Sequence, residues 1–156
     1  MSYLTHFNIS DFCITKDAVP QKIADAILLY HVIPLNIVQD CLPFEIYPSY
    51  SVKGHPSGYR PYKYEISKGR SGKSQHTFGE TKNGITENHK GALDLTCEDF
   101  SLNKNNLLDA LIKYTDYKRL AVYNSFIHCD YKDTHDGKRL LFNSDSSSNW
   151  SFVKFI

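Results

Sequence analysis

Ser74-Gln75-His76-Thr77-Phe78-Gly79, Gly91-Ala92-Leu93-Asp94-Leu95-Thr96 and Phe126-Ile127-His128-Cys129-Asp130-Tyr131 each set a possible metal ligand in a place where a fold can hold it still. His76 stands in a polar turn that ends on glycine. Asp94 interrupts the apolar run from Ala92 to Leu95, and His128 follows Phe126-Ile127 in another. A carboxylate or imidazole inside a strand-like apolar run needs a partner, because a polar group desolvated without one costs free energy. Two imidazoles and one carboxylate make a usual catalytic zinc set, with the fourth position left to water. Side chains two apart on a strand share a face, so Asp130 points the same way as His128 and Cys129 points away. Asp130 is then either a carboxylate that orients the His128 ring or part of the catalytic apparatus.

Read as S-x-H-x-x-G, G-A-x-D-L-T and F-I-H-x-D, these stretches resemble the zinc D-alanyl-D-alanine carboxypeptidases and L-alanyl-D-glutamate endolysins, which share a zinc core with the lysostaphin and Hedgehog proteins. Upstream, Ser57-Gly58-Tyr59-Arg60 is similar to the S-G-Y-R signature of the same family. The resemblance covers roughly residues 6–131. One departure is plain. In the family the first His and the Asp lie in one continuous S-x-H-x-x-G-x-A-x-D. Here His76 and Asp94 are eighteen residues apart, so Glu80 to Lys90 reads as an eleven-residue insertion.

The resemblance implies an α+β fold of the Hedgehog/DD-peptidase type: a mainly antiparallel sheet with flanking helices and a zinc cleft, in a single domain over residues 1–156. It implies His76, Asp94 and His128 as Zn2+ ligands, Arg60 in a catalytic and substrate-binding role, and Ser74 and Tyr59 beside the substrate, although Ser74 equally shapes the turn and ordinary packing explains Tyr59 as well. Many relatives carry an acidic general base three residues before the last His. That position is Ser125 here, which cannot take the proton. Asp130 is the nearest acidic substitute in sequence, with Glu80 and Glu87 in the insertion as the others.

Composition narrows the field. A length of 156 residues suits one domain with a real core. A net charge of +1 points away from nucleic acid and anionic membrane as main partners. Lys63, Lys68, Arg70 and Lys73 read as a solvated loop. Cys13, Cys41, Cys97 and Cys129 form no C-x-x-C pair and read as reduced, mostly buried thiols. The start Met1 to His6 lacks the basic and apolar parts of a signal peptide, and no apolar run approaches the length of a membrane span. The expectation is a monomer made in the cytoplasm that reaches the bacterial cell wall through a holin or in a virion. Its partners would be peptidoglycan peptide and other virion proteins.

Along the chain, residues 7–12 predict a brief turn with Ser10-Asp11 as its cap. A helix is predicted from Val19-Pro20, ended or kinked by Pro34, with an apolar face continuing to Leu42. Residues 44–52 read as extended with a break at Pro48, with turns at Gly54, Pro56 and Gly58. Pro61 to Lys68 predicts a short helix. The insertion, with Asn83-Gly84 at its centre, predicts a hairpin tip or flap. Gly91 to Thr96 predicts a buried strand. A helix capped by Ser101 or Asn103 follows, with Leu107, Leu108, Leu111 and Ile112 inward. Arg119 to Tyr123, Ser125 to Tyr131 and Arg139 to Phe142 predict strands, Ser144 to Asn149 a polar loop, and Trp150 to Ile156 a strand at the sheet edge. His89 is a rival ligand in a solvent-like setting. His6, His31, His55 and His135 have no constellation around them.

Two functions follow. One is a zinc-dependent peptidase that hydrolyses peptidoglycan stem or cross-link peptides containing D-amino acids. The alternative is a catalytically inactive module on the same zinc scaffold, for binding or as part of a virion.

Overall fold

The structure, a computed structural model, describes residues 6–14, 18–49, 57–146 and 149–156. The extended segment expected over residues 50–52 and the turns expected at Gly54 and Pro56 lie outside these residues. Ile9–Phe12 forms a short 3-10 turn. Asn8 caps it rather than Ser10-Asp11: its side chain accepts the Ser10 N–H at 3.2 Å, and Asp11 reaches back to the Asn8 N–H at 2.9 Å.

Pro20 occupies the cap of α1 (Gln21–Ile27), which passes through a π turn at Leu28–Val32 into α2 (Ile33–Asp40). Pro34 therefore does not end the helix. Proline lacks an N–H and crowds the carbonyl four residues back, and wider π turns are a known way for a helix to absorb such a defect. The carbonyl that Pro34 cannot serve belongs to Tyr30, and the Tyr131 hydroxyl donates to it at 2.8 Å. Ile23, Ile27, Leu35 and Val38 bury the inner stripe of this long helical segment.

The chain then forms β1 (Ile46–Pro48), α3 (Tyr62–Ser67), the small hairpin β2 (Glu80–Thr81) and β3 (Gly84–Ile85), β4 (Ala92–Cys97), α4 (Phe100–Tyr114), β5 (Arg119–Val122), β6 (Ile127–Asp130), β7 (Leu140–Ser146) and β8 (Asn149–Phe155). Six strands make one sheet in the order β1-β4-β6-β5-β7-β8. All neighbours are antiparallel except β5 and β7. The architecture is thus α+β with a mostly antiparallel sheet, as expected. No helix among the described residues is long and apolar enough to cross a membrane.

Strand alternation gives the sheet two unlike faces. Leu93, Leu95 and Cys97 of β4, Ile127 and Cys129 of β6, Leu120 of β5 and Leu141 of β7 fall on one face and are at most 5% exposed. The helices cover that face, α4 through Leu107, Ala110 and Leu111, with Leu108 and Ile112 half-buried at its margin. Each fully buried leucine contributes roughly 1.5–3 kcal/mol relative to leaving it exposed. The other face carries a cross-strand row, Asp94, His128, Ala121, Phe142 and Phe152. Asp94 and His128, two of the candidate ligands, stand on this second face.

Three further expectations are corrected. Neither Ser101 nor Asn103 caps α4. Asp99 holds the cap position with φ 44° and no side-chain bond, while Asn103 donates to the Glu98 carbonyl at 2.8 Å. Ser144 to Asn149 is not simply a loop, because β7 runs to Ser146 and β8 begins at Asn149. The thiols divide evenly: Cys97 and Cys129 are buried, whereas Cys13 is half-buried and Cys41 exposed, and all four are free.

Candidate metal centre

Antiparallel register between β4 and β6 makes Asp94 and His128 direct cross-strand partners. His128 Nδ1 lies 2.8 Å from Asp94 Oδ1. His76 arrives from a 3-10 turn, Gln75–Thr77, whose cap is the Ser74 hydroxyl accepting the His76 N–H at 3.2 Å. Its Nε2 lies 3.6 Å from the same Asp94 oxygen. The ligand atoms of His76, Asp94 and His128 all lie within 4.8 Å of one another. Three side chains far apart in the chain therefore meet at one point.

The Ser57-Gly58-Tyr59-Arg60 segment acts as a strap across this point. The Ser57 carbonyl accepts the Asp94 N–H at 2.6 Å, and the Gly58 carbonyl accepts from His76 Nδ1 at 3.0 Å. The Tyr59 N–H donates to Phe12 at 2.7 Å and the Arg60 N–H to the His76 carbonyl at 2.8 Å. Gly58 is required by space: a Cβ there would stand 2.1 Å from the Phe12 carbonyl oxygen. Gly58→Ala should cost about 1–3 kcal/mol of stability, the usual range for overpacking, and should weaken metal binding as the strap shifts off His76. Urea unfolding and zinc titration check this; an unchanged midpoint with unchanged affinity would refute it.

The insertion does not disturb this geometry. Thr86 N–H donates to the Gly79 carbonyl at 2.8 Å and closes the hairpin at its base. Its tip is Lys82-Asn83, with Gly84 paired to Thr81, one residue off the expected Asn83-Gly84. At the return, Gly91 has φ 75°, and its missing side chain leaves room for the Phe78 ring, 2.2 Å from where a Cβ would sit.

The hydrogen bonds fix which nitrogens are free. A carbonyl can only accept, so His76 Nδ1 carries the proton and its Nε2 turns a lone pair toward Asp94. His128 lies between two carboxylates, with Nε2 at 2.9 Å from Asp130 Oδ2. Burial opposes charge on His128, yet the bonds to Asp130 and Asp94 outweigh it and push the pKa up to about 9. Burial lowers the pKa of His76 against the attraction of Asp94. Burial alone would raise Asp94, but the His76 and His128 rings hold its carboxyl well below the usual range.

This donor set fits zinc. Each imidazole has one nitrogen tied to an acceptor of its own, Gly58 or Asp130, and the other turned to Asp94, the orientation that metal-ligating histidines usually have. Zinc bonds of about 2.0–2.2 Å in a tetrahedron place donors roughly 3.3 Å apart. The two separations from Asp94 Oδ1, 2.8 and 3.6 Å, bracket that value.

The remaining expected residues are placed as follows. Arg60 lies with one terminal nitrogen 3.3 Å from buried Glu65 and the other 3.3 Å from the Ser74 hydroxyl, while its buried Nε has no hydrogen-bond partner. Tyr59, expected beside the substrate, is 2% exposed. Its hydroxyl donates to Glu80 at 2.7 Å, so it packs inside rather than lining a cleft. Asp130, expected among the catalytic residues, has no exposure. Its Oδ1 takes Arg119 Nε at 2.9 Å and the Lys132 N–H at 3.0 Å, and its Oδ2 takes His128 and the second Arg119 nitrogen. Burial would raise its pKa, but these bonds hold it well below the usual range. Of the two roles open to Asp130, its contacts serve the orienting one.

The other acidic substitutes are also occupied. Glu80 accepts the Tyr62 N–H as well as the Tyr59 hydroxyl, and Glu87 pairs with Lys22. Ser125 is exposed, and its carbonyl accepts the Thr96 hydroxyl. His89 is half-buried, accepts the Gly91 N–H through Nδ1, and stands outside the three-residue group. His31, read as having no constellation, sits fully buried in one. It donates to the Lys90 carbonyl at 2.8 Å, which leaves Nδ1 to accept from the Tyr117 hydroxyl at 2.9 Å. Burial pushes its pKa down to about 4, so it is neutral. These partners come from 59 and 86 residues away and leave no local signal. Arg119 and Trp150, both beside the centre, carry no local signal either.

No protein-family model matches the chain, no curated protein matches it, and no solved structure matches it.

Proposed function

We propose that the chain is a zinc-dependent peptidase of the Hedgehog/DD-peptidase type, acting on peptidoglycan stem or cross-link peptides that contain D-amino acids. The observation that carries the reading is the convergence of His76, Asp94 and His128, with the second nitrogen of each imidazole held by its own acceptor. The substrate class rests on the resemblance of the four motifs, and delivery by a holin or a virion goes with it. Zinc bound there would polarise the scissile carbonyl and lower the pKa of a water to about 7.

The chain's own residues would hold the ion and orient the groups around it. His76, Asp94 and His128 hold the ion, and Asp130 keeps the His128 ring turned. Arg60, held by Glu65 and Ser74 through its terminal nitrogens, would turn its guanidinium to a substrate carboxylate or to the oxygen that gains charge. Ser74, within reach of Arg60, shapes the turn that presents His76.

A second reading, a module that binds zinc without cleaving, is favoured by one observation: Asp130, Glu80 and Glu87 all have other partners. Zinc analysis of purified protein and amino-group release from peptidoglycan, with and without chelator, separate the two. The peptidase reading expects one zinc per chain and release that chelator stops. Zinc without release on several wall types would leave the module. No zinc at all would end both.

A further inference from the structure

The C-terminal hairpin lies outside the stretch that the family resemblance covers, yet it reaches the metal centre through one side chain. Trp150, the single tryptophan, stands on β8 with its ring centroid 5.3 Å from that of His128, at 55°. The Arg119 guanidinium lies over the same indole, 4.8 Å from its centroid. Arg119 grips Asp130 with two nitrogens, and Asp130 accepts from His128 Nε2. Trp150, Arg119, Asp130 and His128 therefore form a closed circuit, each touching the next. The indole is itself held from outside: its Nε1 donates to the Tyr123 hydroxyl at 2.7 Å, and Phe142 packs 5.1 Å away. Tyr123 in turn stacks on Phe126 at 4.3 Å and 15°.

We propose that Trp150 is a positioning residue of the metal centre, which fixes the His128 ring directly and the Asp130 carboxylate through Arg119. The physical reason is geometric. A ring held at Nδ1 and Nε2 can still tilt about the line that joins them, and the indole against it limits that tilt. A guanidinium held against an aromatic ring keeps its planar fork aimed at a carboxylate. The inference rests on the metal reading above, and its test can fail separately.

The test uses the full chain with Zn2+ and Co2+. Affinity is measured by competition with a chromophoric chelator, cobalt geometry by visible absorption, and fold by circular dichroism in chelator. Trp150→Leu should bind zinc about 10- to 100-fold more weakly, the usual effect of losing a partner that orients a ligand, with an altered cobalt spectrum and an intact fold. Trp150→Phe keeps a ring against His128 and should stay within about threefold. Phe152→Leu, on the same strand but not in the circuit, should match wild type. Cobalt should also quench the fluorescence of Trp150 in wild type, at one equivalent.

Wild-type affinity and spectrum in Trp150→Leu would overturn the proposal, as would an equal loss in Phe152→Leu. Should Trp150→Leu not fold, Arg119→Lys takes its place. A loss of affinity there together with a changed cobalt spectrum supports the circuit, and no change overturns it. Failure of the wild-type protein to bind either ion would end the metal reading and this inference with it.

Discussion

Replacing Asp94 with alanine should strip zinc from the protein, with affinity falling by at least about 100-fold. Zinc sites of four ligands hold the ion with an apparent free energy of about 10–16 kcal/mol. An equal share per ligand is about 3 kcal/mol, or roughly two powers of ten. The true loss should exceed this share, because Asp94 is the single anion among the three donors and the one both imidazoles face. The effect has a second readout. A ligand that binds only the folded state adds about 2.7 kcal/mol of stability at a hundred times its dissociation constant. Wild-type protein should therefore melt higher in zinc than in chelator, and Asp94→Ala should melt at one temperature in both. A variant that still gains stability from zinc would show that the ion sits elsewhere. Peptide cleavage, where wild type has it, should disappear with the metal.

The parts of this site that were legible in the sequence are those written in local pattern. Asp94 and His128 break apolar runs, and a buried polar residue announces a partner without naming it. The period of two along β6 put Asp130 on the face of His128, and the 2.9 Å bond bears that placement out. The helix carrying Leu107 and Leu111 was equally clear from spacing, and both residues are fully buried. What was not legible depends on the register between distant strands. Nothing near Arg119 or Trp150 in the chain marks them, since they meet Asp130 and His128 only once β5, β6, β7 and β8 have paired. The same holds for Pro34, whose local rule predicts an end or a kink. Tyr131, about a hundred residues on, supplies the donor that the rule says is missing. Tyr59 is open to two readings for a related reason: an aromatic in a cleft motif and an aromatic in a core look alike until Glu80 folds back to meet its hydroxyl.

Asp130→Ala should be the most destabilising single change at the centre, by about 3–5 kcal/mol in urea unfolding, the range for removing one partner of a buried ion pair. It leaves the Arg119 fork, the Lys132 N–H and His128 Nε2 all without their acceptor. The pH dependence then tells why. Asp94 and Asp130 have folded pKa values below their unfolded ones, so their contribution is present above about pH 4 and fades as acid protonates them. His128 is shifted the other way, so its contribution is present below about pH 6.5 and is lost as pH rises through about 9. Below about pH 6.5 His31 and His76, whose folded pKa values burial lowers, work the other way, so the His128 contribution is read above that pH, where metal-free wild type should weaken toward pH 9. In Asp130→Ala the alkaline decline should shrink, because one of the two carboxylates that hold the His128 proton is gone. With zinc present the decline should vanish in wild type, since the ion takes the place of that proton and binding is favoured as pH rises. Urea midpoints in chelator and in zinc at pH 5, 7 and 9 measure all three. A metal-free protein equally stable at pH 7 and 9 would mean that His128 does not carry its proton between Asp94 and Asp130, and that the circuit behind the metal is not the one that holds the sheet face together.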